Sequence, residues 1–550
     1  MTAWRLLKSG EHKELLSRIY KFTVASSRKK SPIEYSNWRE QWVELNKESR
    51  KELVEQIEVL SSRPSFTLIL DTAGWDTASL FSTIDSVTEQ LYPDWVLHIT
   101  NGNMSDSDLP EKIRILNDSR IKISEISASD PTDWVVELSP DTQLHEAALF
   151  SAAVAINENP EIALLYSDHD HVDHHGNFCD PYMKPDWNTD LFAAMNYLTP
   201  FIAFKRELWA NHGDRPSDQY LFLVEIAKTL SHNKIFHIPH VLATVRINGD
   251  GGHLQPACKR VIHDLPDPAP TVSILIPTHD QGYILERCLK SIFEKTDYLS
   301  FEIILIDHET TEVKALNVIS EFKGRKNFKV VNYSGSFNFS AIMNRAAKVA
   351  EGQILISLNN DTEIIDSEWL TELASQVSRP EVGVVGALLL FGDDTIQHAG
   401  VHPGEGGLMG HGHKHLPGET SGYFNRLKAV HEVAAVTGAC MAVEKSTWFE
   451  LGGLDQENLA VAYNDVDLCF KARKKGLRVI LTPYARVMHH ESVSRGEDDN
   501  PILNDRLRKE LETMKARWGE FIESDPAYSP NLSFDGGSFT LARKPRTRYL

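Results

Sequence analysis

Two mostly apolar segments of the sequence end in side chains that could bind a ligand. Residues 353–361 end in Asn-Asn-Asp361, and residues 301–307 end in Asp307. Open α/β sheets bind ligands at the carboxyl ends of their strands. Asp361 could therefore hold a divalent cation against a diphosphate, and Asp307 could accept a hydrogen bond from a base or ribose. The alternatives are structural, because Asn-Asn-Asp is a common turn sequence and Asp307 could cap the next helix.

A second group of polar residues follows further along the chain. Asp465 and Asp467 stand in the first turn of a helix that the sequence predicts over residues 462–476. These acids could complement the helix dipole, or Asp465 could act as a general base that takes the proton from an attacking hydroxyl. His489 and His490 lie in a predicted strand and could supply a nitrogen ligand to the same metal, although a single histidine is more often structural.

Two segments are rich in histidine. We interpret residues 400–415 as a loop near a bound acceptor, which His411 and His413 could contact. A metal site is the alternative, but no cysteine or set of acids accompanies these histidines. Residues 168–175 contain four histidines, and there we predict a solvated loop rather than a metal site.

Short β-rich runs alternate with amphipathic stretches in two series, the first from residue 65 and the second after the proline-rich stretch 265–270. This alternation predicts α/β domains with mainly parallel sheets. At a constant offset of 220 residues, Leu138 falls on Leu358 and Asp141 on Asp361. The match of element order and residue type indicates an internal duplication.

The sequence therefore predicts two tandem Rossmann-like domains after a charged, helical N-terminal leader. The expected divisions are a leader, a first domain, a linker, a second domain and a C-terminal tail, over residues 1–62, 63–262, 263–270, 271–525 and 526–550.

Composition narrows the functional classes. The chain has 550 residues and a formal net charge of −20, which allows at least two cores and disfavours a nucleic-acid-binding protein. Five cysteines without closely spaced pairs favour a reducing compartment. No apolar run approaches the roughly 18 residues that a membrane-spanning helix needs, so we expect a cytoplasmic protein. Residues 1–30 and 542–550 are basic and could contact an anionic membrane surface, or they could simply be solvated.

Taken together, the motifs of residues 271–496 resemble the family 2 inverting glycosyltransferases of the GT-A fold. The resemblance is to bacterial enzymes of O-antigen and other surface-polysaccharide assembly in particular. The segments that carry it are Val-Ser-Ile-Leu-Ile-Pro-Thr at 272–278, Phe-Asn-Phe-Ser-Ala-Ile-Met-Asn at 337–344, Leu-Asn-Asn-Asp-Thr-Glu at 358–363, Val-Thr-Gly-Ala-Cys at 436–440, Asn-Asp-Val-Asp at 464–467 and His-His-Glu-Ser-Val-Ser-Arg-Gly at 489–496.

The resemblance implies roles for individual residues. Asp465 matches the catalytic base. Asp361 matches the principal carboxylate ligand of a divalent metal, Mn²⁺ or Mg²⁺. His489 or His490 matches the C-terminal metal ligand, and His489 is preferred. The residues implied at the nucleotide-sugar site are Pro277, Thr278, Asp307, Asn344, Asn359 and Asn360, and the candidate acceptor contacts are His411, His413, Asn464 and Asp467. Two positions depart from the family pattern: Asn359 stands for the first acid of the Asp-x-Asp motif, and Asn464 for the usual Glu before the base.

Residues 65–246 resemble the N-terminal domain of two-domain members of the same family, but their chemistry is eroded. Ser139-Pro-Asp141 replaces the acid-rich metal motif, Ser217-Asp-Gln-Tyr replaces the base motif, and the segment ending Thr100-Asn-Gly102 has no Asp. We expect this domain not to transfer sugar and to contribute scaffold or acceptor binding instead.

The resemblance as a whole implies a metal-dependent inverting glycosyltransferase. Its donor would be a nucleotide sugar, and its acceptor a saccharide, lipid-linked by expectation, in bacterial surface-polysaccharide synthesis. The alternative is a non-catalytic saccharide-binding or assembly subunit of a polysaccharide synthesis complex. A sugar nucleotidyltransferase is disfavoured, because the glycine-rich basic phosphate loop of such enzymes is missing near the first strand.

Overall fold

Apolar runs that alternate with amphipathic helices build two sheets in the computed structural model. The structure describes residues 34–72, 77–100, 114–124, 132–211, 218–247, 256–404, 409–490, 501–534 and 538–547. Parts of several predicted features lie outside these ranges: the basic segment 1–30, Asn101-Gly102, Ser217, the motif residues 491–496 and the last three residues.

The first sheet is formed by strands between residues 66 and 246. These are β1 (Phe66–Asp71), β2 (Trp95–Thr100), β3 (Ile121–Ile123), β4 (Trp134–Leu138), β5 (Thr142–Leu144), β6 (Leu164–Val172), β7 (Phe178–Tyr182), β8 (Ile202–Lys205) and β9 (Ile235–Arg246). Their order is β3-β2-β1-β4-β8-β6-β9-β5, with β7 paired to β6.

The second sheet lies between residues 272 and 489. Its strands are β10 (Val272–Thr278), β11 (Phe301–His308), β12 (Phe328–Tyr333), β13 (Ile354–Leu358), β14 (Thr362–Ile364), β15 (Val382–Leu390), β16 (Ile396–His398), β19 (His431–Glu432), β20 (Cys440–Glu444) and β21 (Arg478–His489). Their order is β12-β11-β10-β13-β20-β15-β21-β14, with β16 and β19 at the side.

The two sheets have the same topology. In each sheet the first four strands of the order are parallel, and the next strand, β8 or β20, is antiparallel to them. At the far edge a short strand pairs antiparallel with a long one, β5 with β9 and β14 with β21. The predicted tandem α/β architecture with mainly parallel sheets is confirmed. Strands such as β13 and β15 are buried throughout, as expected of strands covered on both faces.

Helices cover the faces of both sheets and also form the leader. Those of the leader and first domain are α1 (Tyr35–Trp42), α2 (Lys47–Val59), α3 (Thr77–Thr88), α4 (Ala148–Glu158), α5 (Thr189–Ala194), α6 (Arg206–Ala210) and α7 (Gln219–Thr229). Those that follow are α8 (Gly282–Lys295), α9 (Val313–Lys323), α10 (Phe339–Val349), α11 (Trp369–Val377), α12 (Lys445–Glu450), α13 (Asn464–Lys474) and α14 (Pro501–Glu523). No helix in the described ranges is long and apolar enough to cross a membrane.

The prediction of a solvated loop over residues 168–175 is wrong for residues 168–172, which complete the buried strand β6. The two acids among them, Asp168 and Asp170, are buried because distant residues satisfy them. The Asp168 carboxylate accepts hydrogen bonds from the backbone N–H of Lys184 and the side-chain amide of Asn531, at 2.7 and 2.9 Å. Asp170 pairs with Arg39 of α1 at 2.8 Å. No group of three or more metal-ligating side chains occurs here or elsewhere in the described ranges.

The predicted loop over residues 400–415 is partly a hairpin. Strands β17 (Val401–Pro403) and β18 (Met409–His411) pair antiparallel, so the loop prediction is wrong for these residues. Residues 405–408 between the two strands are outside the described ranges.

The C-terminal segment returns to the first domain. After α14, the carbonyl of Pro526 accepts a hydrogen bond from the N–H of Asp186 at 2.8 Å. The carbonyl of Ala542 accepts one from the Trp38 indole at 2.8 Å. The predicted tail therefore packs against both the first domain and the leader.

A buried ion cluster joins the two domains. Asp190 of α5, 5% exposed at its side chain, forms ion pairs with Arg478 at the start of β21 and with Arg379, the latter at 2.9 Å. Arg478 also contacts Glu432 at 2.9 Å and Glu381 at 3.3 Å. One first-domain carboxylate thus helps to neutralise two arginines of the second domain.

We expect Asp190→Ala to lower the free energy of unfolding by about 3 kcal/mol, because it leaves two largely buried guanidinium groups with less counter-charge. Calorimetric unfolding of the full chain measures this effect. Glu225→Ala is the matched control, since Glu225 lies in a first-domain helix but pairs with Lys228 in solvent, and exposed pairs contribute less than about 1 kcal/mol. Equal destabilisation by the two variants would contradict the role of Asp190.

Candidate active site

The pairing of the edge strand β14 with β21 brings Asp361 and His489 together. Thr362 lies opposite His489 in this antiparallel pair, and the N–H of His490 donates to the carbonyl of Asp361 at 2.9 Å. The Nε2 atom of His489 is consequently 3.0 Å from Oδ1 of Asp361, and both residues are more than nine-tenths buried.

Gln397 on β16 orients His489. The Gln397 amide oxygen lies 2.6 Å from Nδ1 of His489, and the Gln397 amide nitrogen donates to the His489 carbonyl at 3.3 Å. An amide oxygen can only accept, so Nδ1 carries a proton and Nε2 is directed at Asp361 and at the Asn359 side chain, 3.3 Å away. The sequence analysis missed Gln397, because nothing local marks a buried glutamine as the partner of a histidine ninety residues away.

The two neighbouring histidines have different surroundings. The Nε2 atom of His490 lies 3.2 Å from a Glu363 carboxylate oxygen and accepts a hydrogen bond from Arg287 at 3.3 Å. Successive residues of a strand point to opposite faces, which separates the side chain of His490 from that of His489. The structure thus places His489 directly against the carboxylate of Asp361.

The Asp361–His489 pair fits a divalent cation. In an octahedral site, two neighbouring ligand atoms each lie about 2.1 Å from the ion and form a right angle at it, so they are about 3.0 Å from each other. Nε2 of His489 and Oδ1 of Asp361 are 3.0 Å apart. Mg²⁺ and similar ions are typically held by one or two protein ligands plus substrate phosphates, so a pair of side chains suffices. A histidine ligand whose other nitrogen donates to an amide or carboxylate is also typical of metal sites.

Asp465 lies at the start of α13, and the loop 437–439 connects it to the end of β13. Its two carboxylate oxygens accept hydrogen bonds from the N–H groups of Gly438 and Val466, both at 2.8 Å. The Gly438 carbonyl in turn accepts from Ser357 of β13 at 2.6 Å. The half-buried Asp465 carboxylate is therefore fixed in direction, with lone pairs left to accept a further proton.

A second histidine pair lies beside this loop. His398 on β16 is buried, and its Nδ1 is 2.8 Å from Nδ1 of His411 at the end of β18. Burial, and the neighbouring His411 and His489, lower the pKa of His398 well below its ordinary value. The N–H of Thr437 lies 3.5 Å from Nε2 of His398. The hairpin residue His411 is thus brought to the loop that holds Asp465, through a histidine that the sequence analysis did not single out.

The residues implied at the nucleotide-sugar site lie at the carboxyl edge of the parallel strands. Pro277 and Thr278 end β10, and Thr278 is opposite Asp307 of β11. The Asn360 side chain donates to the Thr278 hydroxyl at 3.1 Å. Asp307 accepts from the N–H of Thr310 at 3.0 Å, which closes the turn after β11.

Other predicted site residues hold neighbouring segments in place. Asn344 exchanges two hydrogen bonds with the backbone of Leu454, and Asn464 donates to the carbonyl of Val461. His413 accepts from the N–H of Tyr423 and stacks on Phe539.

Asp467 is fully buried and holds α14 against α13. It pairs with Arg517 at 2.7 Å and Lys471 at 2.8 Å, and it accepts from the Trp518 indole at 2.8 Å. The structure therefore separates the two acids of the α13 motif: Asp465 lies at the loop and Asp467 in the helix packing.

Among the described residues of the first domain, two positions that correspond to the site carry different side chains. Val245 lies opposite Thr142 in the β5–β9 pair, where His489 lies opposite Thr362 in the second sheet. Tyr220, the second residue of α7, stands where Asp465 stands in α13, and its hydroxyl donates to the carbonyl of Phe192 at 2.5 Å. An apolar and an aromatic side chain thus replace the histidine and the acid.

Comparison with known proteins finds a family match within the second sheet. Residues 273–434 match the family described as Glycosyl transferase family 2. That match includes Asp361 and ends before Asp465 and His489.

Three relatives illustrate the similarity. The uncharacterized protein y4gI of Sinorhizobium fredii is 32% identical over 544 residues, which cover 89% of this chain and 60% of that protein. The O-antigen biosynthesis protein RfbC of Myxococcus xanthus is 31% identical over 548 residues, 89% of this chain and 42% of that protein. The N-acetylglucosaminyl-diphospho-decaprenol L-rhamnosyltransferase of Mycobacterium tuberculosis is 24% identical over 250 residues, 42% of this chain and 79% of that protein.

The chain spans less than two thirds of the length of the first two relatives. The similarity to them nevertheless runs through both of its domains, and the family match falls within the second sheet. Residues 273–434, which lie in the second sheet, are therefore similar to the glycosyltransferases of family 2.

Proposed function

We propose that this protein is a metal-dependent inverting glycosyltransferase. It moves a hexosyl or deoxyhexosyl group from a nucleotide sugar to a saccharide acceptor in the synthesis of a bacterial surface polysaccharide. The observation that carries the proposal is the Asp361–His489 pair at the sheet edge, together with the Asp465 carboxylate at the start of α13, which the loop 437–439 orients. We also propose that transfer belongs to residues 271–525 and that residues 63–262 are non-catalytic.

Asp361 and His489 would hold the divalent cation, Mn²⁺ or Mg²⁺, with Gln397 fixing the histidine. When bound, such an ion neutralises charge on a leaving diphosphate. Thr278, Asp307, Asn359 and Asn360 lie along the same edge and would position the nucleotide. His490, beside Glu363 and Arg287, would support the edge strand.

Asp465 would take the proton from the acceptor hydroxyl as that oxygen forms its bond to the anomeric carbon. The N–H groups of Gly438 and Val466 hold the carboxylate in one direction, so little reorganisation is needed when the proton arrives. The acceptor oxygen attacks from the Asp465 side and the diphosphate leaves on the other, which inverts the anomeric configuration. His411 lies beside the same loop and would contact the acceptor.

The relatives support a polysaccharide setting. RfbC is named for O-antigen biosynthesis, and the mycobacterial relative is named for a lipid-linked acceptor. We propose a lipid-linked saccharide acceptor and a site of action at the cytoplasmic face of the membrane. Basic residues near both ends of the sequence would attract that anionic surface.

The second candidate function, a non-catalytic saccharide-binding subunit, is favoured by the first domain alone, where Val245 and Tyr220 replace the histidine and the acid. It predicts no metal-dependent hydrolysis of any nucleotide sugar, whereas a transferase hydrolyses its donor slowly when no acceptor is present. That assay, run with a panel of nucleotide sugars and Mn²⁺ or Mg²⁺, separates the two candidates.

We expect Asp465→Asn to reduce transfer by about 10³-fold, because the amide cannot accept the proton, a contribution typical of general bases. Donor binding, measured by calorimetry with the nucleotide sugar that the panel identifies, should stay near its wild-type value. Asp505→Asn, an exposed acid on α14, is the control. Turnover near the wild-type rate in Asp465→Asn would remove Asp465 as the base.

We expect Asp361→Ala to abolish metal-dependent transfer, and Gln397→Leu to weaken Mn²⁺ binding by about tenfold or more through loss of the histidine's orientation. Electron paramagnetic resonance measures the affinity for Mn²⁺, which is titrated into the protein in the presence of a nucleoside diphosphate. Glu368→Ala, at an exposed acid just after β14, should leave it unchanged. Substantial metal-dependent transfer by Asp361→Ala would show that the first domain is catalytic after all.

A further inference from the structure

A cavity of about 300 Å³ opens in the first domain at the same sheet edge that holds Asp361 and His489 in the second. Asp141 and Thr142, which follow β4 as Asp361 and Thr362 follow β13, lie on its wall, and so does Val245, the counterpart of His489. The duplication has thus kept a concave site while its metal ligand and base have been replaced. A volume of this size is within the range of small-ligand sites.

The residues that line the cavity include buried polar atoms with no hydrogen-bond partner among the described residues. Among these atoms are the Thr142 hydroxyl, Nδ1 of His169 and the side-chain oxygen of Asn196. Thr142 is fully buried and His169 is about nine-tenths buried. Buried polar groups without partners are uncommon in folded proteins and call for a ligand or water. All three residues line the same cavity, so a ligand with hydrogen-bonding groups, or ordered water, would supply the missing partners there.

The charges around the cavity select a neutral ligand. Burial, and then Lys184 and His171, lower the pKa of His169 well below its ordinary value, so the imidazole is neutral. Among the described residues no lysine or arginine lines the cavity, whereas the carboxylates of Glu137 and Asp141 do. A diphosphate would face these acids with no counter-charge. A hydroxyl group can both donate to carboxylates and to the Asn196 oxygen and accept from the Thr142 hydroxyl.

Aromatic rings complete the wall, and one of them comes from the second domain. Tyr182 and Tyr197 of the first domain line the cavity, and Phe424 of the second domain stacks on Tyr182 with ring centres 3.8 Å apart and parallel planes. Phe424 adopts a left-handed backbone with φ of 45°, a conformation that costs energy for a bulky residue and is kept where surrounding structure requires it. Tyr182 and Tyr197 are each 1% exposed, whereas Phe424 is partly exposed, so Phe424 is the ring that a pyranose in the cavity would meet.

We propose that the first-domain cavity binds a neutral saccharide unit of the acceptor chain. That this saccharide is the acceptor rests on the proposed function. That the cavity binds a saccharide does not depend on the proposed function. Phe424 belongs to the segment that follows the hairpin carrying His411, so the second domain contributes to the wall of this first-domain cavity. The first domain would thus retain a growing chain while the second domain extends it.

Saturation-transfer NMR on the full chain tests this site with free glucose, galactose, mannose, rhamnose and N-acetylglucosamine as probes. At least one sugar should give signals in the wild type and equally in Asp465→Asn and Asp361→Ala. An excess of uridine diphosphate with Mn²⁺ should not displace that sugar. Thr142→Val, His169→Leu and Asn196→Leu should each weaken binding by about tenfold, because each removes a hydrogen bond to the sugar.

Asn159→Leu is the matched control, since Asn159 is exposed at the end of α4 and does not line the cavity. Thermal unfolding checks that each variant is folded. The near-isosteric Thr142→Val should not lower the melting temperature, because it removes a buried hydroxyl that lacks a partner. Retained sugar binding in a protein that transfers nothing would support this site and refute the proposed function.

Three results would overturn the proposal. The first is that none of the five sugars gives a signal. The second is that the three cavity variants bind sugar as well as the control does. The third is that binding is lost in Asp361→Ala or when uridine diphosphate is added. The last result would place the sugar in the second domain.

Discussion

One buried carboxylate, that of Asp190, ties the two domains together by charge. A charged group so little exposed is stable only if opposite charges reach it, and here Arg379 and Arg478 of the second domain do so. Arg478 begins β21, the strand whose far end carries His489. The same strand is therefore anchored to the first domain at one end and to the Asp361 carboxylate at the other.

This docking brings two chemically different copies of one topology into contact. In both sheets a polar turn follows the fourth parallel strand, and a short edge strand pairs with the last long strand. Topology alone therefore places a polar turn beside an edge strand at the same position in each domain. The two domains differ in the residue that lies opposite the edge strand's threonine. It is His489 in the second domain, where Nε2 contacts a carboxylate, and Val245 in the first.

Much of this framework could be predicted from the sequence, because continuous apolar runs ending in polar residues mark buried parallel strands. Asp361, Asp307 and Asp465 lie where those patterns placed them. Residues 168–172 were predicted wrongly for a physical reason. A run of Asp and His looks solvated unless its partners are known, and the partners of Asp168 and Asp170 are Asn531 and Arg39, at opposite ends of the chain.

The candidate site shows the same limit. Gln397 and His398 contact His489 and His411 only because β16 pairs with β15, and no local spacing indicates that pairing. Asp465 and Asp467 are equivalent by sequence pattern, yet Arg517 and Trp518 from α14 bind Asp467. Long-range packing thus determines which of two similar acids is available for chemistry.

Different groups orient the metal-ligand pair, Asp361 and His489, and the candidate base, Asp465. Gln397 on β16 orients His489, and the backbone of Gly438 and Val466 orients Asp465. The loop 437–439 connects them, because Ser357 and Asn359 at the end of β13 also bond to its carbonyls. Backbone groups hold the acid more rigidly than a side chain would, since they have no rotamers to lose. A site built this way can vary its donor contacts along the parallel strands while the position of Asp465 stays fixed by the chain itself.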